Sequence, residues 1–139
     1  MRKAVTLTEE LKTILVVDDC DFVLEVLVAT LKAAFLVLQA NSGSKAIKLA
    51  AGYADRIDLL LAAVEMRGMS GPYLAEALRK SRPEIRVMLS CGDILVGDFG
   101  CTLIQKPFMP AKLIEMVRVV LHAPGKSHVT RQFSAGSAE

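Results

Sequence analysis

Three charged residues in this chain have side chains suited to metal or phosphate chemistry. Asp18 and Asp19 follow the apolar run Thr13–Val17, and Lys106 and Pro107 follow a later short run. Two adjacent carboxylates repel each other unless a cation lies between them, and paired carboxylate oxygens suit Mg²⁺. An acidic pair after a strand can also be a helix cap with a solvated charge. Lys106, at the end of a later strand-like run, favours a metal or phosphate site over a helix cap.

The stretch from Ile57 to Pro72 contains a predicted strand that ends in a residue without a reactive or metal-binding side chain. Its apolar run, Leu59 to Val64, is short and is followed by glycines and a proline, which indicates a buried strand that ends in a loop. Open α/β sheets place their binding sites at the C-terminal ends of such strands. The residue that stands there is Ala63, which has no functional group.

The rest of the chain alternates short apolar runs with amphipathic stretches. The apolar runs predict five strands, at Thr13–Val17, Phe35–Ala40, Leu59–Val64, Arg86–Ser90 and Thr102–Gln105. The amphipathic stretches predict four helices: Asp21, as cap, to about Ala34; Lys45 to Gly52, with Gly52 as C-terminal cap; Ser70, as cap before Pro72, to about Ser81; and Pro110 to about Leu121.

The first predicted helix is unusually apolar. Its stripe toward the core is predicted to consist of Val23, Leu27, Leu31 and Ala34. Phe22, Val26 and Val28 fall outside that stripe. They could form an exposed apolar face, but we expect a wider face toward the core.

Strands that alternate with helices predict an α/β domain with a doubly wound, five-stranded parallel sheet. Fourteen residues separate Cys91 from Lys106, and they include the fifth strand. Because an average helix takes about 11 or 12 residues, the helix before that strand is predicted to be shortened or missing, with a turn or loop across Asp93 to Phe99. We expect a leader over residues 1–12, one domain over 13–122 and a flexible, polar tail over 123–139.

Composition excludes several classes of protein. Lys and Arg total 17 against 15 for Asp and Glu, so no broad field attracts nucleic acid or a membrane surface. Polar residues in the first twelve interrupt any signal-peptide core, and no segment has about 18 consecutive apolar residues. We therefore expect a soluble cytoplasmic protein that binds neither nucleic acid nor membrane. The three cysteines match no zinc spacing, and Cys20 and Cys101 are expected to be buried thiols.

In combination, four motifs of the chain resemble the receiver domain of two-component response regulators, a flavodoxin-like module. The motifs are I-L-V-V-D-D, D-L-L-L-A-A-V-E-M-R-G-M-S-G, V-M-L-S-C-G and Q-K-P-F, and the resemblance covers about Thr13 to Leu121. It implies that Asp18 and Asp19 bind Mg²⁺, that the backbone carbonyl of Glu65 completes the metal site, and that Lys106 contacts the phosphoryl group. Mg²⁺ and lysine neutralise the charge that builds on a transferring phosphoryl group.

The chain departs from the pattern of that family at several positions. The family's phosphoacceptor aspartate falls at Ala63, which has no oxygen to attack phosphorus. Cys91 falls at the switch Ser/Thr position, and a thiol is a weak hydrogen-bond donor. Ser90 lies beside it, but strand alternation points its side chain to the other face. Leu103 falls at the position of the switch aromatic residue, and Arg67 at that of a loop proline.

Three hypotheses follow from these residues. The first is a non-enzymatic signalling module of the receiver type that accepts no phosphate at Ala63 and acts by binding a histidine kinase, a downstream protein or a second copy of itself. The second is an ordinary phosphoaccepting receiver in which Ala63 was introduced by engineering. The third is a flavodoxin-like binder of a nucleotide or flavin, although no phosphate-binding glycine motif follows the first strand. For Mg²⁺ we expect weak binding, with Lys106 as the usual counter-ion of the acidic pair.

Overall fold

The computed structural model of the protein describes residues 11–92 and 101–123. It contains five strands: β1 (Thr13–Val17), β2 (Leu36–Ala40), β3 (Leu59–Ala63), β4 (Arg86–Cys91) and β5 (Thr102–Gln105). Within those residues it also contains four helices: α1 (Asp21–Leu31), α2 (Gly43–Gly52), α3 (Gly71–Ser81) and α4 (Pro110–His122). Every predicted element is present, and the bounds differ from the predicted ones by a few residues at most. The predicted loop across Asp93 to Phe99 lies outside the described residues.

The five strands form one parallel sheet in the order β2-β1-β3-β4-β5. This is the flavodoxin-like strand order, in which the chain winds first to one side of β1 and then to the other. Parallel strands need crossover connections, and α1, α2 and α3 provide the first three, with α1 on one face of the sheet and α2 and α3 on the other. The predicted doubly wound α/β fold is therefore confirmed.

The two central strands explain why the sheet forms where it does. All five residues of β1 and all five of β3 are buried, as expected for strands that are covered by helices on both faces. Alternate residues belong to different clusters: Leu15 and Leu60 pack toward α2 and α3, whereas Ile14 and Leu61 pack toward α1 and α4. Each strand thus contributes to two cores at once.

The helix starts are set by short polar side chains in two of the four cases. The hydroxyl of Ser42 accepts a hydrogen bond from the amide of Lys45 at 3.1 Å, and the hydroxyl of Ser70 accepts one from the amide of Tyr73 at 3.2 Å. These bonds satisfy amides that have no partner inside the helix. The predicted cap at Ser70 is therefore confirmed, and α2 begins two residues earlier than predicted.

Two predicted caps are wrong. Asp21 is the first residue of α1, and the cap position is Cys20, whose side chain makes no capping hydrogen bond. Gly52 is the last residue of α2 and is followed by Tyr53 as the cap, in an extended conformation that needs no glycine. Cys20 is exposed, which contradicts the expected burial, whereas Cys101 is buried as expected.

Helix α1 buries a stripe that agrees with the predicted one at Leu27 and Leu31 but not at Val23 and Ala34. Leu24, Leu27 and Leu31 are its buried residues, whereas Val23 and Ala34 are only partly buried. The expected wider face toward the core is wrong for Phe22 and Val26, which are exposed, whereas Val28 is partly buried against the core. Among the described helices none has the length and apolar character needed to cross a membrane.

Candidate functional site

The strand register brings the predicted site residues to one edge of the sheet. Val17 pairs with Ala62, Ala63 pairs with Ser90, and Cys91 pairs with Gln105. Asp18 is therefore level with Ala63 on the neighbouring strand, and Lys106 follows immediately after the end of β5. The carboxyl ends of four strands thus bring together side chains that are far apart in the sequence.

Asp18 and Lys106 form a partly buried ion pair. The ammonium nitrogen of Lys106 lies 3.1 Å from Oδ2 of Asp18, and the side chains are 26% and 2% exposed respectively. The other carboxylate oxygen, Oδ1, accepts a hydrogen bond from the amide of Cys20 at 2.9 Å. Burial of a carboxylate costs free energy unless it is paired and hydrogen-bonded, and both conditions are met here. Lys106 therefore serves here as the counter-ion of Asp18.

Asp19 is held by Arg67, a contact that was not predicted from the sequence. Oδ2 of Asp19 accepts hydrogen bonds from the amide of Arg67 at 2.9 Å and from its Nε at 3.2 Å. In addition, Nη2 of Arg67 donates to the backbone oxygen of Asp19 at 3.4 Å. The loop after β3 is thereby tied to the loop after β1. The only available signal was an arginine in a glycine-containing loop, and loop side chains have no periodicity from which to predict a direction.

The contacts with Arg67 also set the charge state of Asp19. The hydrogen bond from the backbone amide of Arg67 is the main cause that lowers the pKa of this carboxyl below its usual value. Partial burial opposes this change, and the guanidinium group lowers the pKa further. Asp19 therefore stays ionised to lower pH than an ordinary aspartate.

We expect Arg67→Ala to raise the pKa of Asp19 only part of the way to its usual value, because the amide of residue 67 still donates its hydrogen bond. Because the folded-state pKa is lowered, the stabilisation is present above the unfolded value of about 3.9 and is lost as the pH falls through the folded value. Carboxyl carbon shifts in an NMR pH titration measure the change. Arg56→Ala is the control and should leave the pKa of Asp19 unchanged. The expectation is contradicted if the pKa of Asp19 is also unchanged in Arg67→Ala.

A small cavity lies beside Ala63. It has a volume of about 140 Å³, which is enough for several water molecules, and its described lining consists of Ala63, Val64, Glu65, Ser90, Cys91, Gly92 and Lys106. Ala63 contributes a methyl group, and Lys106 contributes a charge. The cavity thus combines a cation with space beside a residue that has no functional group.

Ser90 has a closer relation to this cavity than was predicted from the sequence. Strand alternation places Ser90 and Cys91 on opposite faces, but the face of Ser90 is the one that Ala63 shares, because the two residues are paired in register. The side chain of Ser90 is buried, and its hydroxyl has no hydrogen-bond partner among the described residues. Ser90 is thus the hydroxyl nearest in register to Ala63.

Cys91 and Leu103 lie in the core on the α2 and α3 face. Cys91 lines the cavity at the end of β4, and its thiol lies 3.9 Å from the backbone oxygen of Ile104. Leu103 is buried in the same core cluster and is not among the described residues that line the cavity. A leucine at this position packs as part of the core and has no polar group to present to the site.

The loop between β3 and α3 carries Glu65 and is shaped by two glycines. The side chain of Glu65 is exposed at the rim of the cavity. Gly68 has a φ of 83°, a left-handed conformation that favours glycine. At Gly71, a Cβ atom would collide with the backbone oxygen of Ala63. The absence of a side chain at Gly71 lets α3 start directly against the end of β3.

A divalent metal ion fits these residues poorly. Three of the four carboxylate oxygens of Asp18 and Asp19 accept hydrogen bonds from protein groups, and each carboxylate has a cationic side chain as partner. In the described part of the chain, no cluster of three or more His, Cys, Asp or Glu residues is arranged to hold a metal ion. Mg²⁺ requires near-octahedral oxygen ligands and gives up water reluctantly. The acidic pair alone is a weak set of ligands for it.

Comparison with known proteins identifies the family of this chain. The family model described as response regulator receiver domain matches residues 14–95. The receiver domain of the hybrid histidine kinase CckA is 34% identical, with a TM-score of 0.70, and the match covers 79% of this chain and 99% of that one.

Two further solved structures are similar to the chain. A receiver domain protein from Methanospirillum hungatei is 26% identical with a TM-score of 0.70, over 81% of this chain and 94% of that one. The chemotaxis response regulator CheY4 of Vibrio cholerae is 23% identical with a TM-score of 0.70, over 79% of this chain and 98% of that one. No match was found among curated protein sequences. The family match covers more than half of the chain, which therefore belongs to the response regulator receiver domain family of two-component systems.

Proposed function

We propose that this receiver domain is a non-enzymatic signalling module that does not accept phosphate on an aspartate and that acts by binding other proteins. The observation that carries the proposal is the position of Ala63, which ends β3 level with Asp18 and lines the cavity that Lys106 also lines. We assign Ala63 to the acceptor position of the family. Cys91 and Leu103 then occupy the positions of its switch residues.

The neighbouring carboxylates are poor substitutes for an acceptor. Asp18 is committed to Lys106 and to the amide of Cys20, so both of its oxygens are in use. Asp19 is held by Arg67. Glu65 is exposed at the rim of the cavity and lies two residues beyond Ala63. Phosphoryl transfer depends on a nucleophile aligned with the phosphorus atom, and none of these groups shares the position of Ala63.

Receiver domains commonly bind Mg²⁺ near the acceptor position. For this chain we propose weak binding through Asp18, Asp19 and the backbone carbonyl of Glu65. With alanine at position 63, only the carboxylates of Asp18 and Asp19 remain of the three that the family uses. Lys106 already neutralises that of Asp18. Lys106 is therefore the counter-charge of Asp18 rather than of the whole acidic pair, because Asp19 pairs with Arg67.

Receiver domains interact with histidine kinases and with other proteins, and we propose a partner of this kind, or a second copy of the chain. Two described surfaces support the proposal. Helix α1 exposes Phe22 and Val26, and α4 exposes Val119 beside a shallow groove of about 530 Å³. Exposed apolar groups bordered by charges are typical of binding surfaces. We further propose that the protein is cytoplasmic and binds neither nucleic acid nor membrane. Its domain is proposed to span residues 13–122.

Intact-mass spectrometry of the wild-type protein tests the central point. After incubation with acetyl phosphate and Mg²⁺, we expect the mass to remain that of the unmodified chain, because no carboxylate is placed to attack the phosphorus atom. A phosphoaccepting receiver domain treated in the same tube serves as the positive control. An acid-labile phosphoryl group on most of the molecules would overturn the proposal.

A further inference from the structure

Arg67 makes more contacts with the acidic pair than an ordinary loop arginine would. One residue donates three hydrogen bonds to Asp19, two of them to the same carboxylate oxygen. The arrangement uses the planar guanidinium group together with the backbone amide, so the side chain and the loop are fixed at once.

Among the described residues, each member of the acidic pair has a cationic side chain as partner. Asp18 is paired with Lys106, and Asp19 is paired with Arg67. A divalent ion at the same place would compete with two cationic groups for the carboxylate oxygens. Ala63 also provides no carboxylate as a further ligand for such an ion.

We propose that Arg67 is a built-in counter-cation of the site. Together with Lys106 it takes the place of a divalent metal ion, so that the acidic pair is held, and the loop after β3 is tied to the loop after β1, without Mg²⁺. The inference concerns Asp19 and Arg67 and is independent of whether the chain accepts phosphate.

The size of the expected effect follows from exposure. The side chain of Arg67 is 87% exposed and that of Asp19 is 23% exposed, so the ion pair is screened by water and is weak. Removal of the guanidinium group should therefore improve Mg²⁺ binding about fivefold. The amide hydrogen bond remains in such a variant, which confines the change to the side chain.

The experiment is a titration with MgCl₂ at constant ionic strength, followed by the amide NMR signals of Asp19 and Cys20. Arg67→Ala is compared with Arg56→Ala, which also removes one exposed arginine, but one that pairs with Asp58 and Glu84 at the opposite end of β3. We expect about fivefold tighter Mg²⁺ binding in Arg67→Ala than in Arg56→Ala, and wild-type affinity in Arg56→Ala.

Arg67→Lys provides a second variant, because it keeps the charge but loses the forked group. We expect its Mg²⁺ affinity to lie between those of wild type and Arg67→Ala. Equal Mg²⁺ affinity in Arg67→Ala and Arg56→Ala would overturn the proposal. So would a micromolar dissociation constant for the wild-type protein, since it would show that Arg67 does not compete with the metal ion.

Discussion

The Ala63→Asp variant should become phosphorylated when it is incubated with acetyl phosphate and Mg²⁺, whereas the wild-type chain stays unmodified. The new carboxylate would lie at the end of β3, beside the cavity of about 140 Å³ and on the face that Ser90 shares. Lys106 lines the same cavity and can neutralise charge on the incoming phosphoryl group. The variant therefore gains a nucleophile in a site that still has its cationic group.

Ala63→Asn is the matched control, because it adds a side chain of the same size without a nucleophilic carboxylate. Intact-mass spectrometry should show one added phosphoryl group in Ala63→Asp and none in Ala63→Asn. If neither variant is modified, the remaining residues do not form a competent site. If both are modified, phosphorylation occurs elsewhere in the chain. A double variant with Arg67→Ala then shows whether the contact with Asp19 limits the reaction.

Gly71→Ala should destabilise the protein because the start of α3 lies directly against the end of β3. An added Cβ atom at Gly71 would collide with the backbone oxygen of Ala63 and would lie 3.1 Å from Cδ2 of Leu89. A backbone oxygen inside a buried strand cannot move aside easily, so the start of α3 must shift. We expect a loss of about 1–3 kcal/mol in the free energy of unfolding.

The matched control for this change is Gly52→Ala. A Cβ atom at Gly52 would meet nothing within 4 Å, and the residue lies at the exposed end of α2. Alanine has the higher helix propensity, so we expect the control to be neutral or stabilised by up to about 1 kcal/mol. Urea denaturation measures both variants. Equal stability of Gly71→Ala and Gly52→Ala would show that α3 can move away from β3 at little cost.

The sequence predicts the elements of this fold well because burial has a simple pattern in them. Strands β1 and β3 are buried along their whole length, so their sequences are uninterrupted apolar runs. The edge formed by Asp18 and Lys106 then follows from the parallel arrangement alone. What the sequence predicts less well are the exact caps, as at Asp21 and Gly52, since helix ends depend on local backbone geometry.

Side-chain partners at the site were harder to predict than its position. The contact between Arg67 and Asp19 joins residues 48 positions apart through a loop, for which no periodic pattern exists. The position of Ser90 beside Ala63 follows from the register between β3 and β4, because alternation alone shows that Ser90 and Cys91 differ in face but not which of them shares the face of Ala63. Both details come from tertiary structure.

The ion pair between Asp18 and Lys106 also has a consequence for folding. It joins residues 88 positions apart, and Lys106 directly follows β5, which pairs with β4. Contacts between such distant residues require closure of a large loop, which slows their formation relative to local structure. During synthesis, Asp18 therefore leaves the ribosome long before its partner exists. We therefore expect the complete site to form late in folding, together with the pairing of β5.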